Sequence, residues 1–293
     1  MHWLAAVERL RRERRPGVLV TVTEVRGHAP REAGAKMVVA LRDLGSDPAS
    51  RTIPVQAWGT VGGGNLEESA LVRAADLLAG PPGPPESLTV QLNDKARTDH
   101  GRQCCGGEVT LLFEHLPVLP AVAIFGLGHV GLELARILSR LELELHLVDS
   151  RADRVGAARL AFLDDGPASL HRHHAPLPEL ILGEVPRGTH VLVMTHDHAE
   201  DFALCDAALR CGHLASIGLI GSSAKWRRFQ QGLAVEGHPA TAVARIQCPI
   251  GRPELVGKDP ATIAVGVAAD LLPRLAPVPS RPAGRQGSTG MPR

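Results

Sequence analysis

Tyrosine is absent from this chain of 293 residues, and aromatic side chains make up only 3% of it. Platforms on which single-stranded bases stack are therefore scarce. No charge of one sign dominates either: 32 Lys and Arg stand against 31 Asp and Glu, so no global field draws the chain to nucleic acid or an anionic membrane. The five cysteines, at 104, 105, 205, 211 and 248, are odd in number and scattered, which excludes a secreted disulfide framework and fits a reducing compartment. Residues 1–15 set Trp3, Leu4, Val7 and Leu10 among charges, and no unbroken apolar run follows their arginines. That pattern predicts an amphipathic first helix, neither signal peptide nor membrane span, in a soluble cytoplasmic protein. A serine-centred nucleophile elbow, a complete phosphate loop ending Gly-Lys-Ser or Gly-Lys-Thr, and a histidine near a hydride-accepting position are all missing.

What is present centres on residues 121–131. Five apolar residues, 121–125, suit a strand buried on both faces, and they run directly into Gly126-x-Gly128-x-x-Gly131. In such a turn the first glycine permits the bend, the second admits a pyrophosphate to the backbone, and the third lets the helix pack on the strand. Residues 145–148 read as the next strand, ending at Asp149, which lies where a ribose-binding carboxylate is expected. The pattern reads as nucleotide or pyrophosphate binding, against the simpler possibility that it only packs helix on sheet. Arg151 would either meet a phosphate or pair with Asp149.

The chain divides by composition into an N-terminal α+β domain, residues 1–114, a Pro-containing linker, 115–120, a Rossmann-like domain, 121–275, and a Pro, Gly and Ser tail, 276–293, expected to be disordered. The fold class is α/β, a C-terminal parallel sheet beside a smaller α+β domain. Within the first domain, residues 17–25, 35–40, 53–58, 87–92 and 108–113 read as strands. Between the first two lies a loop, 26–34, with Arg31 inside it and Lys36 just beyond. Gly62-Gly63-Gly64 opens a helix over 65–79, with Asn65 and Glu68 in capping-box spacing. This turn is either a flexible bend or an anion nest. In the second domain strands alternate with helices, although the third strand is ill defined because residues 170–178 are rich in His and Pro.

Three further stretches carry chemistry. Cys104-Cys105 lacks the spacing of a redox dithiol and has no second pair to complete a zinc site. Its thiols are either inert and buried or, with Arg97, His100 and Arg102 nearby in sequence, activated for soft-metal ligation or sulfur transfer. Thr195-His196-Asp197-His198 follows a strand at the edge where doubly wound folds bind ligands; it reads as a ligand-contacting loop rather than a permanent metal site, with a helix start capped by Asp197 as the simpler alternative. Residues 217–223 repeat the strand-to-helix pattern, with Ser222 or Ser223 as N-cap and Lys225 beyond.

Taken in order, these motifs resemble the XdhC/CoxI family, accessory proteins for maturation of molybdenum hydroxylases such as xanthine dehydrogenase. The resemblance rests on residues 27–31, 34–37, 59–67, 104–107, 126–131, 148–151, 195–198, 218–222, 249–251 and 257–260, nearly the whole chain short of the tail. It implies a chaperone, not a turnover enzyme, that binds molybdenum cofactor in mono- or dinucleotide form as cargo. The cofactor would be protected while a cysteine desulfurase supplies its sulfido ligand, then delivered to an apo-hydroxylase. By the same resemblance, Arg31, Lys36 and Gly62 to Gly64 would contact the pterin or its phosphate, and Cys104 and Cys105 would face molybdenum. Gly126, Gly128, His129, Gly131 and Asp149 would hold a nucleotide portion, with His196, His198 and Ser222 also lining the site. A homo-oligomer is expected. The chain departs from the family pattern at Ser216, where an aromatic is frequent, and at Val256, where a second glycine is. The reading from another class is an NAD(P)-dependent oxidoreductase, and a third is a non-catalytic nucleotide sensor.

Overall fold

A computed structural model describes residues 1–42, 55–92, 107–255 and 257–275. Cys104 and Cys105, with Arg97, His100 and Arg102, lie outside the described residues, as does the tail. The chain forms two compact units, Met1–Val118 and Leu119–Ala276.

The first unit runs α1 (Trp3–Arg12), β1 (Gly17–Gly27), β2 (Lys36–Leu41), β3 (Val55–Gly59), α2 (Gly64–Ala79), β4 (Glu86–Gln91) and β5 (Gly107–Leu116). Its strands form one antiparallel sheet in the order β3-β2-β1-β5-β4. Successive side chains of a strand point to opposite faces, and here a helix covers each face. Met37 and Val39 of β2 pack in one cluster with Leu66, Ala70 and Ala74 of α2. Val38 and Ala40 pack in another with Ala6 and Leu10 of α1. Four consecutive buried apolar residues in β2 follow from this double covering.

The second unit runs β6 (Ala121–Phe125), α3 (His129–Leu138), β7 (Glu144–Asp149), the short α4 (Ala152–Val155) and α5 (Ala157–Leu160), β8 (Ser169–His174), β9 (His190–Val193), α6 (His198–Arg210), β10 (Ser216–Leu219), α7 (Ser223–Val235), α8 (Ala240–Val243), β11 (Ile246–Gln247) and α9 (Pro260–Leu275). All six strands are parallel, ordered β11-β10-β9-β6-β7-β8. Counted from β6 this is the 3-2-1-4-5-6 order of the dinucleotide-binding fold, whose direction reverses between β6 and β9. Every residue of β6 is 0% exposed. Val122 and Ile124 face α3 and α9, whereas Ala123 and Phe125 face α6 and α7. Fully burying a side chain such as Phe125 contributes about 1.5–3 kcal/mol.

The ill-defined third strand is β8. It lies at the sheet edge and its residues are half-buried or exposed, so it needs no continuous apolar run and Ser-Leu-His-Arg-His-His suffices. Among the described residues, no helix is long and apolar enough to cross a membrane.

Candidate functional site at the sheet edge

The carboxyl ends of β6, β7, β9 and β10 define one edge of the parallel sheet, the edge at which open α/β sheets bind ligands. Gly126 has φ +105. A Cβ there would stand 2.4 Å from the Met194 carbonyl oxygen, so the turn after β6 lies directly against the chain leaving β9. A Cβ on Gly131 would stand 2.0 Å from the Gly126 carbonyl oxygen, while one on Gly128 would meet nothing within 4 Å. Two glycines thus serve packing, and the middle one borders open space. Helix α3 starts at Gly128 with no side-chain cap and no acid in its first turn. Its first N–H groups and the positive end of its dipole therefore face that space. His129, the first residue of α3, is exposed.

Asp149 is placed beside this turn but directed inward. Its carboxylate accepts from the Leu127 N–H at 2.7 Å, the Arg151 N–H at 3.0 Å, and Arg151 Nε and Nη2 at 2.8 and 2.9 Å. Burial would push the carboxyl up, but Arg151 and the two backbone donors together hold it below the ordinary carboxylate value. With four donors on its two oxygens, Asp149 fixes the glycine loop and Arg151 and offers no open acceptor to a ribose. Ser150 donates to Glu200 of α6 at 2.7 Å, tying the end of β7 to the helix that follows β9.

The loop after β9 carries the helix cap that the sequence offers at Asp197. Asp197 caps α6, accepting from Ala199 and Glu200 N–H at 2.6 and 3.0 Å, and His196 and His198 are exposed. Ser222 caps α7 through the Lys225 N–H at 3.2 Å. Among the helices of ten or more residues that begin at this edge, α3 is the one without a side-chain cap. His198 and Ser222 come together in a groove of about 960 Å³ that also contains Phe202, Arg228, Phe229 and Val235. The glycine loop is not part of that groove.

An ion pair that sequence reasoning missed locks the edge. Lys225 is mostly buried and donates to Asp201 and to the Ile220 carbonyl. Asp201, 1% exposed, also accepts from the Thr195 N–H and hydroxyl at 3.0 and 2.8 Å. The spacing gives no sign of this pair, since its partners sit on different helices. The one available signal was a lone lysine two residues inside a helix that follows a buried strand. Behind it lies the Cys205 thiol, pushed up to about 12 by burial and then by Asp201.

In the first unit, Gly62, Gly63 and Gly64 all have positive φ, at 143, 72 and 56, a run that side chains would strain. The N-cap of α2 is Gly63, without a side-chain cap. Glu67, the residue before the acid of the expected capping box, accepts from the Gly63 N–H at 3.2 Å and from the Thr60 hydroxyl. The acid of this helix thus reaches its own turn first. Pro30 packs against Gly62, where a Cβ would come within 2.7 Å of it, so the loop containing Arg31 is brought to the turn. Lys36 is directed elsewhere, to the Thr21 hydroxyl at 3.0 Å and over the Trp3 ring.

Residues 122–271 match the model of the XdhC Rossmann domain, and residues 10–89 match that of the XdhC and CoxI family. The chain is 21% identical over 304 residues to the uncharacterised protein YqeB of Escherichia coli K12, an alignment covering 98% of this chain and 50% of that protein. It therefore spans about half the length of that curated relative. A crystal structure described as a xanthine dehydrogenase from Bacillus halodurans aligns over 93% of this chain and 95% of its own, at 17% identity and TM-score 0.44.

Proposed function

The chain belongs to the XdhC and CoxI family, and from that premise we propose that it is an accessory factor for maturing xanthine dehydrogenase-type molybdenum hydroxylases. In this reading it binds molybdenum cofactor as cargo, shelters it while a cysteine desulfurase supplies the sulfido ligand, and passes it to the apo-hydroxylase. One observation carries the site assignment: α3 begins uncapped, with no acid in its first turn and with open space beside Gly128. A helix start of that kind attracts a phosphate or pyrophosphate, which the pterin cargo bears in its mono- or dinucleotide form. Gly128 and the first N–H groups of α3 would hold that group. Asp149 would act at one remove, keeping Leu127 and Arg151 in place. His129 would border the cargo.

The glycine turn at Gly62 to Gly64 would contact the pterin end only if Glu67 yields the Gly63 N–H, and Arg31 would supply charge there. Cys104 and Cys105 remain the proposed contacts to molybdenum, a metal for which thiolate is a suitable soft ligand. The test is to purify the full chain from a host that makes the cofactor, identify the bound small molecule by mass spectrometry, and assay molybdenum. Protein carrying neither pterin nor molybdenum, even after mixing with free cofactor, would overturn the proposal. Normal delivery by the Cys104→Ala, Cys105→Ala double variant would remove the thiols from it. A homo-oligomer belongs to the same proposal and is read by sedimentation.

The strand order and glycine loop also favour an NAD(P)-dependent oxidoreductase. The saturated Asp149 carboxylate argues against it, because a ribose hydroxyl would have to displace Arg151. Saturable NADH binding with substrate-dependent oxidation would establish that reading over the first.

A further inference from the structure

A second group of chemically active side chains gathers at the outer edge of the parallel sheet, away from the glycine loop. The register of β7 and β8 pairs His146 with His171 and Val148 with His173. Residues two apart on a strand share a face, so Glu144 and His146 of β7 and His171 and His173 of β8 project from the same side. The His146 and His171 rings stack with centroids 4.5 Å apart, and the His146 and His173 rings lie 5.3 Å apart. One donor atom each of Glu144, His146 and His171 lies within 4.8 Å of the other two. Imidazole nitrogens and a carboxylate oxygen are the donor set of zinc-class ions. A tetrahedral ion spaces nitrogen donors by roughly 3.3 Å, and lone pairs lie in the imidazole plane, so the exposed His171 ring would turn out of its stack on His146 to close the set.

We propose that Glu144, His146 and His171 form a binding site for one divalent ion of the zinc class. His173 serves as the outer partner: its Nε2 meets His146 Nδ1 at 3.1 Å, a contact that fixes the ring and tautomer of a ligating imidazole. Burial grades across the site in the sense a metal site requires. His146 is buried, Glu144 is half-buried and His171 is exposed, so the ion has a rigid floor and an entry from solvent. Three protein donors leave a fourth position for water or an external ligand. A row of imidazoles without an ion is the simpler alternative, but stacked rings alone do not require an acid beside them.

The proposal is independent of the cargo reading, since its test uses no pterin. Full-length protein is stripped with chelator and titrated with Co²⁺, followed by visible d–d absorption and then by displacement with Zn²⁺. One equivalent is expected, without the near-ultraviolet thiolate charge-transfer band that the cysteines would produce. His171→Ala and Glu144→Gln, on exposed and half-buried positions, should each weaken Co²⁺ binding at least tenfold while circular dichroism stays that of the wild type. His173→Ala should weaken it less. Absence of binding at tens of micromolar Co²⁺, a thiolate band, or an unchanged titration in His171→Ala would each overturn the site.

Discussion

Gly128 and Gly131 sit in one turn, and the structure assigns them opposite consequences on substitution. In Gly131→Ala the new Cβ would stand 2.0 Å from the Gly126 carbonyl oxygen, a backbone atom that cannot rotate away. Either α3 lifts from β6 or the Gly126 peptide turns, and Gly126 is itself held against Met194. Overpacking of this kind costs about 1–3 kcal/mol, and the gain in helix propensity from Gly to Ala recovers at most about 1 kcal/mol. A net loss of about 1–2 kcal/mol corresponds to a fall in Tm of roughly 2–8 °C in a unit of this size. Gly128→Ala should behave otherwise. Its backbone has φ −70, open to any residue, and its Cβ would meet nothing, so stability should stay within about 0.5 kcal/mol. The added methyl would nevertheless occupy the space that the proposed anion would enter at the start of α3. Urea and thermal unfolding followed by circular dichroism measure the first effect, and cargo retained through purification measures the second. Wild-type stability in Gly131→Ala, or wild-type cargo in a folded Gly128→Ala, would refute the division of roles.

Three other experiments probe the second unit. Asp149→Asn removes charge from a carboxylate with four donors and should cost about 2 kcal/mol at pH 7. Because the folded carboxyl lies below its ordinary 3.8, its contribution is complete above that value and is lost as pH falls through the lower, folded value; in urea melts the variant and the wild type should therefore differ fully at pH 7 and draw together as pH falls toward 3. Lys225→Met leaves Asp201 buried and unpaired, for a loss of about 3–5 kcal/mol, whereas the double variant with Asp201→Asn should lose less than the two singles summed; additive losses would show that the pair is not coupled. The buried Cys205 and half-buried Cys248, with thiols raised to about 12 and about 11, should resist iodoacetamide at pH 8 in the folded chain and react in urea, as peptide mapping would reveal; rapid native labelling would contradict the shielding of both thiols.

The parallel sheet was legible in the sequence because its central strands are buried on both faces, and residues 121–125 announce that with five apolar side chains and no spacer. β8 was not, since an edge strand has no such obligation and its histidines answer to each other rather than to a core. The glycine spacing identified the turn after β6 and gave its second glycine to open approach and its third to packing, as the structure has them; what the spacing does not carry is that Gly126 is pressed against Met194, a contact from elsewhere in the chain. Asp149 was located by counting from Gly126, yet its role turned on Arg151. The sequence permits that arginine either to pair with the acid or to meet a phosphate, and the structure pairs the two. The cap of α2 stands two residues before the expected Asn65, at Gly63, within the run of positive-φ glycines, where Glu67 reaches back to the turn.

The reversal of strand order between β6 and β9 also bears on when this site comes into being. Its two walls are neighbours in the sheet but are separated in sequence by β7, β8 and the segments between them, and non-local pairing of this kind is slow to form. Gly126 can meet Met194, and Ser150 can meet Glu200, only after β9 has docked. Until then the glycine loop has a floor and no opposite side. The ligand proposed for the start of α3 would accordingly meet a complete site only after β9 and α6 are in place.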